Sequence, residues 1–149
     1  MWIERSNSER IINAVKTRPA LFLTGVRQAG KSSLLQRLFK DAEYVTLDKV
    51  LLAEEAIQNP GKFLQRFNKQ VIIDEIQYAP SLFREIKIRI DEERGLNGKW
   101  ILTGSQQFPL MARISESLAG RVRILNLHTL SAIEIGRAHL LNESSDLFL

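Results

Sequence analysis

Short apolar runs alternate along this chain with segments whose apolar residues recur every three or four positions. The runs read as strands buried on both faces, and the longer period reads as helices with one face turned inward. Ser8 to Val15, with Ile11, Ile12 and Val15 on one stripe, predicts a first helix with Ser6 or Ser8 as N-cap and Pro19 beyond its end. Ala20 to Thr24 predicts the first strand, and a helix beginning near Lys31 continues through Phe39. Glu43 to Leu47 predicts a second strand, Asp48 a cap, and Val50 to Ile57 a helix. Asn59 and Pro60, as N-cap and first helical residue, start a further helical piece through Phe63, Leu64 and Phe67. Gln70 to Glu75 is a β-branched third strand, followed by a helix over Pro80 to Glu92 that buries Leu82, Phe83, Ile86 and Ile90. After a turn at Gly95 to Gly98 come a fourth strand at Trp100 to Gln106, a helix at Pro109 to Leu118 stopped by Gly120, and a fifth strand at Arg121 to Leu127. A last helix is predicted over Ser131 to Leu141. Strand and helix alternate throughout, which predicts an α/β fold: one mostly parallel sheet of five strands with helices on both faces.

Composition narrows this only a little. The 149 residues fit a single compact domain, and an apolar content of 44% with 26% charged residues is ordinary for a globular protein. Without cysteine there is no disulfide framework, the N-terminus lacks the apolar stretch of a signal peptide, and no run is long enough to cross a bilayer, so a cytoplasmic location is expected. The formal charge of +4 is spread among acidic residues along the chain and permits a nucleic-acid partner without indicating one. Arg84, Lys87 and Arg89 read as the solvated face of their helix.

The candidate chemistry sits where strands end. Gly25, Val26, Arg27, Gln28, Ala29, Gly30, Lys31 and Ser32 form a glycine-bounded loop between the first strand and its helix, in the order of a P-loop. Such a loop wraps a phosphate chain with backbone N–H groups, here continued into the helix by Ser33, and the helix start adds its positive end. Lys31 reaches the outer phosphates and the Ser32 hydroxyl is placed to ligate Mg²⁺. The third strand ends in Asp74 and Glu75, the Walker B pattern: Asp74 to hold Mg²⁺ through its water shell, Glu75 to orient the attacking water. The two side chains, being sequential at a strand end, are expected on opposite sides. Ser105 ends the fourth strand on the same crevice and could contact the γ-phosphate; the competing reading makes Thr103 and Ser105 caps of the next helix. Arg121 has two readings, a surface residue satisfying the last helix carbonyls or an arginine delivered to a phosphate, in its own subunit or a neighbour's. His128 and His139 stand apart from any metal-ligand spacing and read as structural.

Taken together, GVRQAGKSSLLQRLF, YVTLD, VIIDEIQYAPSLF, WILTGSQQF and SLAGRVRILNLHTLSAIEI resemble the ATPase domain of the bacterial and archaeal AAA-type ATPases of the AAA_14 group, whose C-terminal half is the DUF4143 domain. The resemblance runs from about Pro19 to Glu134. It implies an additional-strand (ASCE-type) P-loop NTPase sandwich of three layers, in which the sensor strand separates the Walker A and Walker B strands. It also implies ATP and Mg²⁺ as cofactors, with Lys31 and Ser32 in Walker A, Asp74 and Glu75 in Walker B, Ser105 at the sensor position and Arg121 in the arginine motif. Family loops often read Gly-Pro-Arg-Gln-Val-Gly-Lys-Thr, so Val26, Ala29 and Ser32 are substitutions within the pattern. The family's DUF4143 region is not among these residues, so the chain reads as one ATPase domain over residues 1–149, with ATP or ADP as ligand and a second copy or another protein as an open choice of partner. Two functions follow: Mg²⁺-dependent ATP hydrolysis, weak in the isolated domain, or a nucleotide-gated module that binds protein or DNA with little turnover.

Overall fold

The computed structural model describes residues 5–25, 30–105 and 107–127. Helix α1 (Arg5–Thr17) leads into strand β1 (Ala20–Thr24), and helix α2 (Lys31–Leu38) into strand β2 (Glu43–Thr46). Helices α3 (Val50–Gln58) and α4 (Pro60–Gln65) follow, then strand β3 (Val71–Asp74), a single 3₁₀ turn (Ile76–Tyr78) and helix α5 (Leu82–Glu92). Strand β4 (Trp100–Gly104), helix α6 (Phe108–Leu118) and strand β5 (Val122–Asn126) complete the described elements.

The five strands form one sheet in the order β2-β3-β4-β1-β5, and all four pairings are parallel. Because successive side chains of a strand point to opposite faces, each central strand feeds two cores. Ala20, Phe22, Val71, Ile73, Trp100 and Leu102 pack beneath α3 to α6, whereas Leu21, Leu23, Ile72 and Ile101 pack against α1 and α2. This is the three-layer sandwich expected from the sequence, and it explains why β1, β3 and β4 read as unbroken apolar runs: both faces are covered. Strand β4 separates β1 from β3, so the C-terminal ends of these three strands lie side by side, with β1 and β3 about 10 Å apart at ordinary strand spacing.

Several local expectations hold. The Asn59 side chain accepts a hydrogen bond from the Lys62 N–H at 3.0 Å, capping α4 with Pro60 as its first residue. Gly120 takes φ 76° just past α6, the left-handed conformation of a helix stop. Others need correction. Asp48 is no cap: α3 begins after Lys49, and the Asp48 N–H donates to the Thr46 hydroxyl at 3.2 Å in a turn. Ser6 and Ser8 lie within α1 rather than ahead of it. The 3₁₀ turn after β3 was not expected, and helix α5 starts two residues later than predicted because that turn occupies the approach. The helix predicted over Ser131 to Leu141, with His128 and His139, falls outside the described residues.

Candidate active site

Strand β1 delivers Thr24 and Gly25 to the C-terminal edge of the sheet, and α2 leaves that edge from Gly30. Gly30 adopts φ 81° and ψ 24°, and a Cβ there would meet nothing within 4 Å. Its requirement for glycine is therefore conformational rather than steric. Lys31, the first residue of α2, is buried and returns across the loop to donate from Nζ to the Gly25 carbonyl at 2.9 Å. Ser32 is half-buried and Ser33 exposed on the next positions of the same helix. The intervening Val26, Arg27, Gln28 and Ala29, expected as the amide cradle, lie outside the described residues.

Two strands away, Asp74 ends β3 with only 7% of its surface exposed. Burying a carboxylate is unfavourable unless its oxygens are hydrogen-bonded, and both are. The Tyr44 phenol on β2 donates to Oδ2 at 2.8 Å, and the Thr103 hydroxyl on β4 donates to Oδ1. Asp74 is thus fixed from both neighbouring strands. Burial, followed by the hydrogen bond to Asp74 and its negative charge, pushes the Tyr44 phenol up to about 12, while hydrogen bonding from the Thr46 and Ser32 hydroxyls works the other way.

This gives an alkaline prediction with a definite sign. The folded state holds the Tyr44 proton more tightly than the unfolded chain, so the contribution to stability is whole below the ordinary phenol value of about 10 and is lost as pH rises from there toward 12. Ultraviolet titration should show one phenol ionising near 12, and that late step should vanish in Tyr44→Phe; its persistence would detach Tyr44 from Asp74.

Glu75 does not continue the strand as expected. It sits at φ 61° and ψ 50°, so the prediction of two strand side chains on opposite sides is replaced by a sharp left-handed turn. A residue with a Cβ pays about 1–2 kcal/mol for this conformation. The turn is held by the Glu75 N–H donating to the Thr103 hydroxyl at 3.0 Å and by the Tyr78 N–H donating to the Glu75 carbonyl at 3.2 Å. Thr103 is accordingly no helix cap: α6 begins after Gln107 without a side-chain cap, and the Thr103 hydroxyl serves β3 instead.

Ser105 follows β4, with its N–H directed at the Gln77 side-chain oxygen at 3.3 Å. Its hydroxyl oxygen is buried without a hydrogen-bond partner, and so is that of Thr24 at the end of β1. Two orphaned hydroxyls at adjoining strand ends, beside a lysine, a serine and a carboxylate, form an oxygen-rich edge suited to phosphate oxygens and a hard divalent cation. Among the described residues no group of three or more His, Cys, Asp or Glu side chains could hold a metal ion by itself.

Arg121 is not brought to this edge. It precedes β5 at the opposite end of the sheet, about 15 Å away at the strand rise per residue. There Nε and Nη2 donate to the two Asp91 oxygens at 2.8 and 3.1 Å, and Nη1 donates to the Ala119 carbonyl at 3.0 Å. The hydrogen bond from Arg121 holds the Asp91 carboxyl below the usual carboxylate range. Of the two readings of Arg121, the described contacts match the one in which it satisfies carbonyls at a helix end. Sequence reasoning missed Tyr44, Thr103 as a ligand of Asp74, and Gln77; each acts through a strand neighbour or a turn.

The profile of the AAA_14 family, described as an AAA domain, matches residues 17–136. The uncharacterized proteins Rv2008c of Mycobacterium tuberculosis and Mb2031c of Mycobacterium bovis are each 32% identical over 138 residues, covering 91% of this chain and 31% of theirs. The chain thus spans about a third of the length of these curated relatives. Among solved structures, the Walker-type ATPase PABY2304 of Pyrococcus abyssi superposes with a TM-score of 0.53 at 18% identity, covering 85% of this chain and 54% of that one, which supports the fold. No helix among the described residues is long and apolar enough to cross a membrane. With a P-loop sandwich as its fold and the family profile spanning most of its length, the chain belongs to the AAA_14 family of AAA domains, an ATPase-type nucleotide-binding module.

Proposed function

We propose that this domain binds ATP at the C-terminal edge of β1, β4 and β3 and hydrolyses its γ-phosphate with the help of Mg²⁺. The observation that supports this reading is the buried Asp74 carboxylate, held at the end of β3 by Tyr44 and Thr103, on the same edge of the sheet to which β1 delivers Gly25, the carbonyl that accepts from Lys31. Ser32 and Asp74 would hold Mg²⁺, whose charge neutralises that developing on the outer phosphates. The main-chain N–H groups of the segment from Val26 to Ala29 and the start of α2 would bind the phosphate chain. Lys31 supplies a buried positive charge beside it. Glu75 accepts the proton of the attacking water and orients it, and the Ser105 hydroxyl donates to the γ-phosphate or that water. Arg121 is engaged by Asp91, and turnover by the domain alone is expected to be slow if an arginine must come from elsewhere.

Phosphate release measured with and without chelator, beside nucleotide affinity, tests the reading. Mg²⁺-dependent turnover is the expected result. Tight binding with no turnover at high protein concentration would instead make the domain a nucleotide-gated binding module.

A further inference from the structure

We propose that Gln77 is the positioning residue that holds the Glu75 carboxylate for attack and couples it to Ser105. This rests on the hydrolytic reading above. The Gln77 carboxamide bridges two strand ends: Nε2 donates to Glu75 Oε2, and Oε1 accepts from the Ser105 N–H at 3.3 Å. Only one orientation of the amide satisfies both partners, since a carboxylate can only accept and a main-chain N–H can only donate. The bond engages one carboxylate oxygen of Glu75 and leaves Oε1 to accept a proton from water.

The local backbone is shaped for this bridge. The left-handed Glu75 and the following 3₁₀ turn bring residues 75 and 77 to the same end of β4. At Gly104 a Cβ would lie 3.1 Å from Gln77 Oε1, 3.1 Å from Phe22 Cζ and 3.2 Å from Leu110 Cδ2. A glycine therefore makes room for the carboxamide between β4 and the turn. Ser105, gripped by its N–H, keeps its buried hydroxyl unpaired. A group that draws on that hydroxyl pulls on the residue whose amide anchors Gln77, so the phosphate end of the site is mechanically joined to the carboxylate that handles water. Misplacing a catalytic group by about 1 Å can lower a rate by about 100-fold, which sets the scale of the effect.

Gln77→Met removes both hydrogen bonds at nearly constant volume. We expect kcat to fall by about 10- to 100-fold with nucleotide affinity and melting temperature unchanged. Gln77→Glu, which keeps the acceptor for Ser105 but faces Glu75 with a second carboxylate, should lose at least as much. The decisive comparison is in a Glu75→Gln background, where Gln77→Met should lower the residual rate by less than about twofold, because a residue acting through Glu75 has nothing left to position. An equal loss in both backgrounds, or a loss that follows nucleotide affinity or melting temperature, overturns the proposal. If the wild type binds ATP without turnover, the hydrolytic reading fails and Gln77 is judged on its own by nuclear magnetic resonance. Its carboxamide signals should then differ between the ADP complex and that of a non-hydrolysable ATP analogue; identical signals overturn the coupling.

Discussion

Replacing Glu75 by Gln is expected to lower the rate of ATP hydrolysis by about 100- to 10,000-fold while leaving nucleotide affinity within about twofold of the wild type. The substitution removes one negative charge and the ability to accept a proton from water, yet keeps the side-chain shape. Nothing described ties Glu75 to the phosphate chain: its contacts are Thr103 through the N–H, Tyr78 through the carbonyl and Gln77 through the carboxylate. Binding should therefore survive. The backbone should survive too, because Gln tolerates φ 61° no better and no worse than Glu, and melting temperature is the control for this. Steady-state phosphate release beside a fluorescent-nucleotide titration separates the effects. Equal turnover in the variant would remove Glu75 from the reaction, and a collapse of affinity would make it a binding residue instead.

The strained backbone at Glu75 also shows what a sequence can and cannot disclose. Asp74 and Glu75 were legible as a pair because a buried strand announces itself by an unbroken apolar run and its end by the first charges. The same reasoning located β1, β3 and β4, since each is covered on both faces, and the start of α4, since the Asn59 cap acts three residues along the chain. What failed was information carried across the sheet. The left-handed turn at Glu75 is stabilised by the hydroxyl of Thr103, 28 residues away, and Asp74 is fixed by Tyr44, 30 residues away in the other direction. No local pattern encodes either contact. The two readings of Arg121 stayed open in the sequence for the same reason, because its partner Asp91 lies 30 residues upstream. In the turn from Gly95 to Gly98 the sequence presents two glycines alike, and only packing tells them apart.

That difference predicts the largest effect on stability. Gly98→Ala should destabilise the fold by about 2–4 kcal/mol, whereas Gly95→Ala should cost about 1–2 kcal/mol. Both glycines have positive φ, at 80° and 88°, so both substitutions carry the same backbone penalty. A Cβ at Gly95 would meet nothing within 4 Å. One at Gly98 would lie 2.5 Å from Val15 Cγ1 and 2.6 Å from the Val15 carbonyl oxygen, closer than packed atoms approach. Rotating the Val15 side chain cannot relieve the second contact, since its oxygen belongs to the backbone of α1. Nor can the turn retreat easily: the Gly98 N–H donates to the Arg18 carbonyl at 2.9 Å, the Gly98 carbonyl accepts from Gln70 Nε2 at 2.8 Å, and Asn97 Nδ2 donates to the Lys16 carbonyl at 3.0 Å. The strain must then spread into α1 or break these bonds. Urea unfolding of the two variants measures the gap directly, with the midpoint of Gly98→Ala shifted further and the slope unchanged. Equal shifts would mean that α1 slides away freely from the turn. The turn lies at the edge of the sheet opposite to Asp74 and Lys31, so the molecules of Gly98→Ala that remain folded should bind nucleotide as the wild type does. Loss of binding in folded protein would show that β1 transmits a displacement of α1 to the loop it carries.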